Sequence, residues 1–383
     1  MERLKIILQY LSDQSDLLEY PFYLYDSKKI REKCQIFNSL PYKNKSVHFA
    51  TMSNSNSDFL QIIKGEGIKV FINSLKHLDI VKQIGYKNDD IVFTSSALDE
   101  KTLKIIHKEN IILNLDSINQ LSLWQKLFPG TKVGLRCNLI SSEIHPNTTR
   151  AGYFIGPESR LGITIDELNS IKNKEIINGL HIYVGTDILD VDYFIKFYKF
   201  LMETALIFPF LSYLDIGGGF GLDDKQKKQF NFNKFGEKLY ELMLTFSKKI
   251  DNNIKLLLEP GRIIGGESGY FICKVTDIKF RNEIQYIGVN ASSVQFPRPL
   301  FYPGKAIHPV WILSKNGEIK KSTNPVVTKI MGCSTYSRDY LAHKVILPKA
   351  EIGEIIIFGH AGAYCASAYT EFLGFPKPKE IFI

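Results

Sequence analysis

The sequence predicts an α/β protein, a (β/α)8 barrel of the TIM type joined to a C-terminal all-β domain. Three observations carry that prediction. Eight short apolar runs alternate with segments of helical apolar spacing over residues 28–265. Two Gly-bearing turns close the last two of these runs, Asp215-Ile216-Gly217-Gly218-Gly219-Phe220-Gly221 and Glu259-Pro260-Gly261-Arg262. From about Glu267 onward the apolar period becomes two, the mark of strands with one covered face.

Taken in order, Pro21-Phe22-Tyr23-Leu24-Tyr25 reads as an aromatic strand, and Asp26 as the cap of a helix over residues 27–37. The eight runs cover residues 46–50, 68–73, 90–94, 111–115, 132–138, 177–184, 212–216 and 254–259. Such short continuous apolar runs fit parallel strands buried on both faces. Between them, Phe59, Leu60, Ile62 and Ile63, or Phe194, Ile195, Phe197, Tyr198 and Leu201, fall at three- and four-residue spacing. Eight strands, most followed by a helical segment, match the barrel count. A doubly wound open sheet needs fewer strands and a Gly-rich turn after its first, whereas these glycines follow the seventh. Beyond Glu267, residues 270–278, 283–289, 308–313, 325–331 and 354–358 read as strands, with a turn at Lys315-Asn316-Gly317 and no helix of any length before the C-terminus. The strand over residues 21–25 is expected to pair with this domain. The expected organisation is therefore a barrel over residues 28–265 and a β domain of residues 1–27 and 266–383.

Composition narrows the function classes. The formal charge is +8, but Lys43, Lys45, Lys64, Lys69, Lys76 and Lys82 are scattered rather than clustered. No basic stripe with interleaved aromatics appears, so a nucleic-acid partner is not expected. Cys34, Cys137, Cys273, Cys333 and Cys365 lie far apart, an odd set without a CxxC pair. That argues against a metal knuckle or a disulfide framework and for a reducing compartment. Residues 1–13 have helical apolar spacing but no cleavable small-residue site after them, and no run reaches the length of a membrane span. The expectation is a cytoplasmic protein with no membrane and no metal.

The two Gly-bearing turns hold the chemistry. In a (β/α)8 barrel the site lies at the C-terminal ends of the strands, with phosphate commonly bound by the loops after strands seven and eight. Gly217, Gly218 and Gly219 leave backbone amides uncovered for an anion. Glu259 ends the eighth strand, and Arg262 follows three residues later, placed to neutralise a phosphate. The bland alternative is a Glu259–Arg262 salt bridge across the loop. A phosphorylated cofactor with a basic ring nitrogen would use both residues, because a carboxylate favours the protonated nitrogen and makes the ring an electron sink.

With these turns, Gly332-Cys333, Asp339-Tyr340-Leu341-Ala342 and Ala361-Gly362-Ala363-Tyr364 complete a set that resembles the ornithine/diaminopimelate/arginine decarboxylase family, from about Phe22 to the end. Members are pyridoxal-phosphate enzymes built from a (β/α)8 barrel and a C-terminal β domain. The resemblance implies that Gly217, Gly218, Gly219, Gly261, Arg262 and Tyr364 hold the cofactor and its phosphate, and that Glu259 pairs with the pyridine nitrogen. It implies that Cys333 reaches the site of a second subunit, and hence a homodimer with shared sites. By itself Cys333 would read as a buried core thiol. Arg298-Pro299-Leu300-Phe301-Tyr302 resembles the stretch with which diaminopimelate decarboxylases grip the far carboxylate of their substrate. A guanidinium fork suits a carboxylate and repels a distal ammonium, so Arg298, Tyr302 and Asp339 are the expected substrate residues. The rival for Arg298 is a surface arginine in a loop.

The chain also departs from the family. The first barrel strand of the family ends in the lysine that joins covalently to the cofactor, and here Phe49-Ala50-Thr51-Met52-Ser53-Asn54 puts Met52 there. A thioether has no amine and forms no imine. Lys45 starts the same strand, roughly 20 Å from its other end, and Lys76 follows the second strand, a poor substitute. The ring-stacking His is Tyr183 in His181-Ile182-Tyr183-Val184-Gly185-Thr186; Tyr183 can still stack, and Thr186 can still donate to phosphate. The acid usual at the end of the second strand is Phe71, and the segment from Ser334 to Asp339 is two residues longer than the family pattern. Phosphate-holding parts are kept while substrate-handling parts are altered. Two readings follow: a decarboxylase-like protein for an amino acid or conjugate with a distal carboxylate, or a non-catalytic cofactor-binding relative, alone or paired with an active paralogue.

Overall fold

A computed structural model describes residues 10, 19–147, 152–222 and 229–383. Apart from Tyr10, the helical spacing read in residues 1–13 lies outside the described residues. The chain divides into two compact units, one of Arg31–Ile264 and one of Met1–Ile30 with Gly265–Ile383. The first strand, β1 (Phe22–Tyr25), belongs to the second unit, and Asp26 caps the following helix Ser27–Asn38 by accepting from the Lys29 amide at 2.9 Å.

The Arg31–Ile264 unit is a closed parallel barrel. Its strands are β2 (Lys45–Ala50), β3 (Lys69–Ile72), β4 (Ile91–Thr94), β5 (Ile112–Leu115), β6 (Val133–Asn138), β8 (Ile177–Ile182), β9 (Tyr213–Asp215) and β10 (Lys255–Leu258). A two-residue strand, β7 (Ile163–Thr164), adds to β6. Neighbours run β5-β4-β3-β2-β10-β9-β8-β6, and pairing of β5 with β6 closes the ring. The expected (β/α)8 fold is therefore the observed one. Helices cover the strands with their apolar stripes: Ser57–Gly65 buries Phe59, Leu60 and Ile63, and Val191–Ala205 buries Phe194, Phe197, Tyr198 and Leu201. Tyr213 fills the barrel interior. Its ring occupies the space that side chains at Gly134 and Gly179 would need, since a Cβ at either would stand 1.9 Å from it. Its hydroxyl donates to Asn114 Oδ1 at 2.7 Å, and Asn114 donates to Thr94 Oγ1 at 3.1 Å, so the buried polar atoms across the barrel satisfy each other.

The other unit continues with β11 (Gly269–Arg281), β12 (Ile284–Val289), β13 (Val310–Leu313), β14 (Val326–Met331), β15 (Tyr340–Leu347), β16 (Ile355–Phe358) and β17 (Lys379–Phe382). The sheet order is β13-β16-β11-β12-β14-β15, and β1 pairs antiparallel with β11 and parallel with β17. Phe22, Leu24, Ile272, Leu313, Ile355 and Ile357 form its buried apolar cluster. Strands β15 and β17 are additions to the expected set. Among the described residues no helix is long and apolar enough to cross a membrane.

Candidate active site

Three neighbouring strands, β8, β9 and β10, deliver their C-terminal residues to one buried cluster. His181 lies on β8, Asp215 ends β9 and Glu259 follows β10. One donor atom from each lies within 4.8 Å of the others. His181 Nε2 and Glu259 Oε2 are 3.2 Å apart, and Asp215 Oδ1 accepts from the Gly217 amide at 3.0 Å. Asp215 Oδ2 and Glu259 Oε1 are buried without a hydrogen-bond partner. Burial, then the facing Glu259, pushes the Asp215 carboxyl well above its usual range. Burial raises Glu259 to about 7 and lowers His181 to about 4. Near neutral pH the imidazole is uncharged, and burial disfavours the charged form of both carboxyls.

The loops above this cluster are tied by backbone bonds. Glu259 N–H donates to Gly217 O at 2.8 Å and Ile216 N–H to Leu257 O at 3.0 Å, joining the turns after β9 and β10. Phe220 anchors the Gly-rich turn by burying its ring among Phe37, Phe194, Phe230 and Phe235, at centroid distances of 5.4, 5.1, 5.3 and 5.2 Å. The glycines answer to this crowding. A Cβ on Gly218 would meet Glu259 O at 2.2 Å; on Gly219, whose φ is +98°, it would meet Gly185 O at 2.0 Å. The Gly217 amide is committed to Asp215, while those of Gly218 and Gly219 donate to nothing among the described residues. Gly261 is buried and precedes the short helix Arg262–Gly265. Arg262 pairs with Asp187, and Glu259 faces His181, so the bland alternative, a mutual Glu259–Arg262 salt bridge, gives way to a different partner for each.

The remaining expected residues of this unit lie elsewhere on its strands and loops. Tyr183 is half-buried with its ring edge-on to Phe154 at 5.1 Å, and Thr186 is half-buried in the same loop. Met52 is half-buried in the turn after β2, which is fixed by Thr51 N–H donating to Phe71 O and Ser53 N–H to Ala50 O. Lys45 begins β2 and donates to Leu40 O at 2.8 Å, at the opposite end of the strand. Lys76 is exposed in the first turn of the helix Leu75–Gln83. Phe71 packs on the interior cluster of Val92, Tyr213 and Leu257.

The other unit holds the rest. Arg298 is buried in the helix Arg298–Phe301, with Nη1 3.5 Å from His308 Nε2 and its guanidinium carbon 5.9 Å from the Tyr302 ring centre. It is thus not a surface arginine. Tyr302 itself is half exposed. Asp339 is buried and accepts from Ser292 Oγ, the Ser293 and Ser334 amides and Ser334 Oγ, at 3.1, 2.6, 3.0 and 2.5 Å. Both its oxygens are occupied in ordering this loop. Cys333 is exposed rather than a core thiol, and partial burial raises its pKa, so it keeps its proton at neutral pH. Tyr364 is half-buried in the left-handed region at φ +56°.

His181, Asp215 and Arg136 were not singled out from sequence. His181 and Asp215 sat inside the quoted motifs, but nothing in their spacing shows that three strands bring them together. Arg136 on β6 lies with Nε 3.8 Å from Asp116 Oδ1, and its charge lowers the Glu259 pKa against the effect of burial.

A family profile described as pyridoxal-dependent decarboxylase, pyridoxal binding domain, matches residues 27–266. The diaminopimelate decarboxylase of Buchnera aphidicola subsp. Schizaphis graminum (strain Sg) is 29% identical over 383 residues, covering 95% of this chain and 88% of that one. A crystal structure of diaminopimelate decarboxylase superposes with a TM-score of 0.86 at 22% identity, covering 98% and 90% of the two chains. The lysine/ornithine decarboxylase of Vibrio vulnificus, complexed with putrescine, gives 0.81 at 18% identity, covering 98% of each. These two likenesses speak for the fold; the profile match, over more than half the chain, decides the family. The chain belongs to the pyridoxal-dependent decarboxylases.

Proposed function

We propose that this protein binds pyridoxal phosphate non-covalently and acts as a decarboxylase on an amino acid, or a conjugate of one, with a distal carboxylate. The observation that carries the reading is the buried Glu259 oxygen that lacks a partner beside His181 and Asp215. A protonated ring nitrogen would offer that oxygen a charged donor. Bound pyridoxal phosphate supplies an electron sink for charge released at the α-carbon of the amino acid. Glu259 holds the ring nitrogen protonated, Asp215 and His181 fix Glu259, and Tyr183 offers its ring as a stacking face. The free amides of Gly218 and Gly219, with Thr186 and Arg262, form the phosphate set. Met52 offers no amine, so the grip on the cofactor rests on these contacts alone.

Arg298 and Tyr302 are the residues we assign to the far carboxylate of the substrate, and Cys333 holds a proton for return to carbon. Asp339 supports this set by ordering the Cys333 loop rather than by touching substrate, since its acceptors are already filled. The functional form in this reading is a cytoplasmic homodimer with a barrel of residues 28–265, Cys333 of one protomer serving the site of the other. The names of the similar enzymes favour a diaminopimelate-like substrate over ornithine or lysine.

The test is direct. Incubated with pyridoxal phosphate, the protein is expected to release CO2 from meso-diaminopimelate faster than from ornithine or lysine. Saturable cofactor binding without CO2 release from any of these would leave the non-catalytic relative as the correct reading. Absence of cofactor binding would overturn both.

A further inference from the structure

The loop after β8 folds back on the Gly-rich loop after β9. Ile188 N–H donates to Gly219 O at 3.0 Å, and Gly221 N–H donates to Ile188 O at 2.9 Å. Asp187 sits just before this clamp, in the left-handed region at φ +54°. Asp adopts that conformation more readily than most residues because its short polar side chain bonds locally. The clamp aims its carboxylate at Nη1 of Arg262, with the two side chains only 7% and 5% exposed. The cation that follows the Glu259-Pro260-Gly261 turn is thus engaged by an anion from the same barrel mouth.

We propose, resting on the cofactor reading above, that Asp187 is an internal competitor for the Arg262 guanidinium and sets how strongly the site prefers a phosphorylated ligand. A carboxylate and a phosphate ester each present a pair of oxygens to one guanidinium fork, and both cannot hold it in the same geometry. A phosphate entering the cradle must displace Asp187 or lie beside a negative charge in a space that water screens poorly. Either route weakens phosphate capture without touching the ring contacts made by Glu259. The preference for pyridoxal phosphate over unphosphorylated pyridoxal is therefore compressed in this chain.

The experiment measures equilibrium affinity for pyridoxal phosphate and for pyridoxal, by fluorescence or calorimetry, in the full chain and in Asp187→Asn. Asn keeps the shape and tolerates the same backbone, but carries no charge. Asp187→Gly, which accepts a left-handed backbone without strain, is the second variant, and melting curves verify that both fold. The expected result is pyridoxal phosphate affinity raised about tenfold in both variants, with pyridoxal affinity changed less than about twofold. In an Arg262→Met background the gain should fall below about threefold, since the contested cation is gone. An unchanged pyridoxal phosphate affinity in folded variants, an equal gain for pyridoxal, or a full gain without Arg262 would each overturn the proposal. If none of the proteins binds either ligand, the cofactor reading fails and takes this inference with it. Binding that ignores Asp187 fails this inference alone.

Discussion

Across β8, β9 and β10 the barrel mouth is made of close-packed glycines, free backbone amides and buried ionisable side chains. Across β2 and β3 the corresponding positions carry Met52 and Phe71. The two arcs adjoin, since β2 pairs with β10 and the Ala50 amide donates to Pro260 O at 3.0 Å. In the proposed reading one arc holds an anion and a ring nitrogen, while the other lacks the amine and the acid expected there from the family resemblance. Substituting Met52 and Phe71 costs little in the fold, because one is half-buried in a fixed turn and the other joins an apolar interior. A change at Gly218 or Glu259 has no such outlet, because backbone or buried charge surrounds each. In the proposed reading, binding and covalent capture are separable parts of this mouth.

The sharpest way to break the comparison is to damage the β9 arc. Gly219→Ala places a Cβ 2.0 Å from Gly185 O at φ +98°, so it should destabilise the barrel by about 3 kcal/mol in denaturant melts. A well-folded variant of parental stability would show that the close packing of the turns is not required.

A pH series probes the buried carboxyls. Glu259 is raised to about 7 in the folded state, above its ordinary 4.5, so the folded protein binds the extra proton between these values and its stability falls as pH rises through them. Glu259→Gln removes that dependence. Its stability relative to the parent should therefore climb between pH about 4.5 and 7, by on the order of 3 kcal/mol. His181, lowered to about 4 by burial, acts in the opposite sense: its contribution rises with pH between about 4 and its ordinary 6.5. A flat difference between Glu259→Gln and the parent would show that the carboxyl is ordinary.

The same variant separates binding from stability. Losing a charge-assisted hydrogen bond to the ring nitrogen should weaken pyridoxal phosphate binding about 10- to 100-fold. Tyr183→Ala, which removes the stacking face, should weaken it about tenfold or less. Equal losses in the two variants would mean that Glu259 does not meet the ring nitrogen.

Most of the fold was legible because parallel barrel strands are continuous apolar runs separated by amphipathic helices, a signal local to each strand. Strand β15 was not, since its burial is patchy, with His343 and Lys344 exposed in mid-strand. Strand β17 is four residues whose partner β1 lies more than three hundred positions earlier, so only tertiary pairing defines it. The candidate site was legible as turns and motifs, including Glu259 and the three glycines. Its buried chemistry was not: His181, Asp215 and Glu259 meet only because β8, β9 and β10 are neighbours in the ring. Asp187 carried no signal either, because its meaning lies in a left-handed backbone and in the distant Arg262 it faces.

The central claim is a cofactor held without a covalent anchor, and one measurement addresses it most directly. The protein and Met52→Lys are each saturated with pyridoxal phosphate, reduced with borohydride and mapped by peptide mass, with binding followed in parallel by fluorescence. The account predicts saturable binding in both, no stoichiometric pyridoxyl adduct in the parent, and one adduct per chain at position 52 in the variant. A stoichiometric adduct on any lysine of the parent, or the absence of binding in both proteins, would contradict it.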